Sequence, residues 1–131
     1  MDFDSAKRVF EEYLDGYDRE NDKVRLKIVH TYGVAAQSTA IAERMRLSAE
    51  DRELAQIIAL LHDIGRFEQL RQFDSFGPET MDHASYGVEL LFGTSRMIRK
   101  FVPEDKWDEV IRVAIAKHSD FALEGISDER K

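Results

Sequence analysis

Cysteine is absent from all 131 residues, which removes disulfides, thiolate nucleophiles and Cys-type zinc sites together. That absence fits a reducing compartment, and the expected localisation is cytoplasmic. Proline occurs only twice, and no apolar run approaches the roughly 18 residues that a membrane-crossing helix needs. The opening Met1-Asp2-Phe3-Asp4 is acidic, unlike the positive start of a secretory signal. A basic tail or stripe is missing too: formal net charge is −7, which argues against duplex nucleic acid as a partner. An acidic chain still binds a phosphate where something local supplies positive charge. A metal ion does this, and is then the largest charge in its site.

What is present reads as helix. Hydrophobic residues make up 43% of the chain, the composition of a globular protein, and the length is that of one domain. Apolar residues recur every three to four positions and no segment alternates for long. The pattern predicts helices over about Ser5 to Leu14, from Asn21 or Asp22 to Met45, and from Ser48 towards Gly65. Further helices are predicted over Arg66 to Phe73, from Asp82 to Gly93, just before Pro103, and from Glu104 to Lys117. Asp82 and the Ser48-Ala49-Glu50-Asp51 run are N-terminal caps by type, and Asp74-Ser75-Phe76-Gly77-Pro78 is a loop. The expected fold is all-α, a single-domain helical bundle of about five to seven helices.

The four histidines are the informative residues. On helical spacing His30 lines up with Leu26, Val34 and Ile41, His62 with Leu54, Ile58 and Leu61, His83 with Gly87 and Leu90, and His118 with Ile111 and Ala114. Four imidazoles on apolar faces need partners, since an unpaired buried polar group costs roughly 1–3 kcal/mol, and a shared metal ion would satisfy them at once. Any single one is more often an ordinary hydrogen-bonded residue. The His62-Asp63 pair at a helix end adds weight, because it sets an imidazole and a carboxylate about 100° apart on one turn.

In these residues the chain resembles the HD-domain superfamily of metal-dependent phosphohydrolases. Ala59-Leu60-Leu61-His62-Asp63-Ile64-Gly65-Arg66-Phe67 is similar to its central motif in the HDIG form. Ile28-Val29-His30-Thr31-Tyr32-Gly33-Val34 matches the context of its first histidine. Asp82-His83-Ala84-Ser85-Tyr86-Gly87 and Ala116-Lys117-His118-Ser119 match two further histidines of many members, and the resemblance runs from about Val24 to Asp120. It implies a primary ion held by His30, His62 and Asp63, with His83 and His118 holding a second ion or the substrate phosphate. Imidazole and carboxylate without thiolate suit Mn, Fe, Co, Ni or Zn, as one or two divalent ions. One element of the family pattern has no match: Asp120 follows His118 too closely to be the distal metal aspartate, and Asp128 sits in a polar run. The domain is therefore expected to be incomplete at its C-terminal end, and to bind metal weakly and turn over slowly.

The reaction implied is hydrolysis of a phosphomonoester or phosphodiester, nucleotides included, by a metal-activated water, with Asp63 as the catalytic carboxylate. The partner is a small phosphorylated molecule; no membrane or duplex nucleic acid is expected. Arg66 and Lys117 flank the motifs and read either as phosphate clamps or as solvated cations at helix ends. Phe67, Phe73 and Phe76 read either as core or as the wall of a substrate pocket. Two alternatives keep the fold: a di-iron oxygenase, and a metal-binding regulatory module without catalysis.

Overall fold

The computed structural model describes residues 1–117; the expectations for His118, Asp120 and Asp128 fall outside the described residues. Each long helix starts where a short polar side chain satisfies exposed backbone N–H groups. Asp2 accepts from Ser5 N at the head of α1, Phe3–Leu14. Asn21 accepts from Lys23 N and Val24 N at α2, Asp22–Arg44. Ser48 accepts from Asp51 N at α3, Ala49–Leu61. α4 spans Gly65–Phe73 and ends on Asp74, whose left-handed backbone (φ 50°) stops the helix. Asp82 caps α5, His83–Phe92. The short α6, Ile98–Phe101, leads to a helix over 108–117, here α7. No strand occurs among the described residues, and the molecule is all-helical.

α2 packs chiefly along α3, α4 lies on α5, and α1 lies across α3 and α6. Ala6, Phe10 and Leu14 form one stripe of α1 and enter a core with Ile57, Leu60, Leu61, Ile64 and Phe67. Phe10 meets Phe67 and Tyr32 edge to face, and each fully buried side chain of this size contributes roughly 1.5–3 kcal/mol. The last helix starts later than expected, at 108, because residues 103–107 form turns and bends around Pro103.

One expectation fails on α2. Its buried residues are Val24, Thr31, Ala35 and Ala42, whereas Leu26 and Ile41 are 65% and 54% exposed. α2 carries apolar residues on two faces, and the face that includes Leu26 and Ile41 is the outer one. His30 is exposed with them, so the histidines do not all point inward. On α7 Ile111 and Ile115 face the core, while Val110 is 49% exposed.

Candidate metal centre

α3 ends at Leu61, and the turn through residues 62–64 leads straight into α4. Ile64 anchors that turn in the core, which leaves His62 and Asp63 at the junction. Gly65 closes that turn with a backbone that is not left-handed. Its role is steric: a Cβ there would sit 2.1 Å from the His83 carbonyl oxygen and 3.1 Å from Gly87 N. The missing side chain lets α5 lie against the start of α4, and that contact delivers His83 to Asp63.

Asp63 is the hub, only 6% exposed. Its Oδ2 faces the Lys27 ammonium at 2.9 Å and His62 Nε2 at 3.3 Å. Its Oδ1 faces His83 Nε2 at 3.5 Å and Arg66 Nε at 4.0 Å. His30 reaches in from α2, with its ring centroid 6.0 Å from that of His62. One donor atom each from His30, His62 and Asp63 lie within 4.8 Å of one another. Two donors on one ion with bonds near 2.1 Å sit roughly 3–4 Å apart, so small side-chain rotations would close the set. His62 Nδ1–H donates to the Ala59 carbonyl, which fixes the tautomer and leaves the Nε2 lone pair on the Asp63 side, the arrangement that orients metal-ligating histidines. Burial, with the Lys27 and His62 charges adding to it and Asp63 opposing, holds His30 below its usual pKa. That favours the neutral imidazole, the form that ligates.

Two cations complete the site. Lys27 stands one turn before His30 on α2, with its side chain 14% exposed. Its ammonium also lies 5.1 Å from the Phe76 ring centroid, and the Arg66 guanidinium lies 5.4 Å from the same ring. Arg66 Nη1 donates to Gln69 Oε1 and to the Phe76 carbonyl. Arg66 Nε is buried with no hydrogen-bond partner among the described residues. Gln69, fully buried, donates through Nε2 to Gly77 O and Thr80 Oγ1. It thereby ties the 74–82 loop down and keeps Phe76 over the two cations.

Of the residues expected at the site, the structure brings together His30, His62, Asp63, His83 and Arg66. Lys117 is exposed as the last described residue, and His118 lies outside the described set. Among the phenylalanines, Phe67 is core, Phe73 is 44% exposed and Phe76 is at the site. Lys27 and Gln69 were missed. The available signal for Lys27 was its i−3 spacing from His30, which puts both on neighbouring positions of one helix face.

The donor set fits a divalent transition metal: two imidazoles and one carboxylate, with an ammonium already standing as counter-cation on the carboxylate and a buried guanidinium N–H turned towards it. No curated protein and no solved structure matches the chain. A family model described as HD domain matches residues 28–130. That match covers well over half of the sequence and takes in His30, His62, Asp63 and His83, so the chain belongs to the HD-domain family.

Proposed function

We propose that this protein is a metal-dependent phosphohydrolase acting on a small phosphomonoester or phosphodiester, nucleotides included. The observation that carries the reading is the meeting of His30, His62 and Asp63 from α2 and the α3–α4 junction, with Lys27 and Arg66 beside them. His30 and His62, with Asp63, would hold the ion. When bound, a divalent metal lowers the pKa of a bound water and polarises a phosphoryl oxygen.

The chain's own residues supply the rest. Lys27 and Arg66 provide positive charge for phosphate oxygens; Arg66 Nη1 is already engaged by Gln69 Oε1 and the Phe76 carbonyl, so its pull is chiefly that of a nearby charge. Phe76 shields that pair from water, which strengthens its pull on an anion. Asp63 has one oxygen towards His62 and Lys27 and the other towards His83, so His83 Nε2 is in position to hold or pass a proton at Oδ1.

Metal analysis of protein purified without added metal, followed by a phosphatase screen over nucleotides and p-nitrophenyl phosphate, tests the reading. Metal-dependent phosphate release is expected, and Asp63→Asn should lower it by about 10³-fold or more, the scale of losing a group that acts in the transition state. Bound metal with oxygen-dependent chemistry, or bound metal with no turnover on any phosphate ester, would overturn it.

A further inference from the structure

The outer face of α2 is long, apolar and uncovered among the described residues. Leu26 is 65% exposed and Val29 69% exposed, and Gly33, Ala36 and Ala40 continue the same face, all exposed, with the exposed His30 and Gln37 along one edge of it. At about 100° per residue, Gly33 sits at the middle of this face, opposite the buried Val24, Ala35 and Ala42. A Cβ added at Gly33 would meet nothing within 4 Å, so close helix packing inside this protomer does not explain the glycine. Monomeric proteins rarely leave such a continuous apolar strip open.

The charges on the strip identify what fits it. Asp22 lies mid-face at its N-terminal end and Arg44 mid-face at its C-terminal end, roughly 33 Å apart at 1.5 Å per residue. Arg25 and Glu43 both lie on one flank, again at opposite ends. A twofold axis through Gly33, perpendicular to the helix, sets a second α2 antiparallel to the first. Asp22, which stands 4.0 Å from Arg25 of its own helix, then faces Arg44 of the second copy, Arg25 lies within about two residues, roughly 3 Å of rise, of Glu43, and the bulky Leu26 faces the small Ala40. A parallel pairing sets Asp22 on Asp22 and Arg44 on Arg44. These four charges sum to zero although the chain carries −7, and the exposed Lys23 on the opposite flank is paired with Asp74.

The geometry points to a symmetric dimer in which two copies pair antiparallel through the outer face of α2, crossing at Gly33. The interface is isologous, the commonest form of self-association, and the small residues at the crossing let the two helices approach closely. One helix against another lies at the low end of interface size, which gives a reversible dimer with a Kd of roughly micromolar order. His30 of the metal centre lies on the same exposed side within one turn of Gly33, so the pairing is read by association and not by activity.

Sedimentation velocity of the 131-residue chain over about 1 to 300 µM, a range that brackets a micromolar Kd, is the test. A concentration-dependent dimer is expected; a monomer throughout overturns the proposal and assigns the face to another occupant. Gly33→Glu sets two carboxylates at the crossing and should weaken the dimer by tenfold or more. Circular dichroism checks that the fold is kept at this open position. Glu43→Arg should weaken the dimer, and Arg25→Glu added to it should restore it; failure to restore overturns the antiparallel register. Because the chain has no cysteine, Gly33→Cys gives a second readout: oxidation should cross-link the wild-type-like dimer through that one position. A dimer that neither cross-links at Gly33→Cys nor responds to Gly33→Glu uses a different surface and overturns the assignment.

Discussion

At Asp63 the closest cation among the described residues is the Lys27 ammonium, 2.9 Å from Oδ2. That charge opposes an incoming metal ion and favours an incoming phosphate. Two unit charges about 4 Å apart interact by about 4 kcal/mol at an effective dielectric near 20. Much of this is relieved when the lysine swings away. Lys27→Met should therefore tighten metal binding by about tenfold, read by metal titration, while raising KM for a phosphate ester. Lower metal affinity in the variant would mean that Lys27 does not compete for the carboxylate. The residues that carry chemistry by type, His30, His62 and Asp63, were legible in the sequence because a His-Asp pair at a helix end and a lone upstream histidine form a recognisable set. Lys27 was not, since a lysine on an acidic chain reads as a solvated charge until the fold sets it against a carboxylate 36 positions away.

Between helices, the α4–α5 contact is set by the space that Gly65 leaves. Gly65→Ala should lose about 2–3 kcal/mol, the scale of forcing an extra methyl into a packed contact. The new Cβ meets the His83 backbone oxygen at 2.1 Å, and backbone cannot step aside as a flexible side chain can. Thermal unfolding checks this; a wild-type Tm would show that α5 moves freely. α4 also carries Glu68, only 6% exposed. The Arg71 guanidinium on Glu68 holds its carboxyl below the usual value against the opposing effect of burial, with Gln72 and Tyr17 also donating. A depressed folded pKa means that the stabilisation is complete above about pH 4.5 and is lost as pH falls through the folded value. The wild-type Tm should therefore drop more steeply below pH 4.5 than that of Glu68→Gln, and parallel profiles would remove Glu68 from the acid response. At this scale the caps were legible, because Asn21, Ser48 and Asp82 act on backbone a few residues away. The orientation of α2 was not, since apolar residues on both of its faces give no preferred side. The reason for Gly65 lies in a second helix that local sequence does not reveal.

Across the whole molecule, the site draws its residues from α2, the α3–α4 junction and α5. Its buried carboxylate is matched by Lys27, His62, His83 and Arg66. Small metal-dependent domains whose ligands repel one another unfold when stripped of metal. Here chelation should leave the far-UV spectrum and the cooperative melt of the wild type intact. In Lys27→Met the same treatment should cost about 1–3 kcal/mol, as a buried charge loses its nearest partner. Loss of helix from the wild type on adding chelator would contradict this. No helix among the described residues is long and apolar enough to cross a membrane. The Lys27–Asp63 pair would also separate two events in time, since folding would not have to wait for metal. On the proposed function, a chain made while metal is scarce would fold first and take up its ion afterwards, in exchange for an ammonium group on the carboxylate.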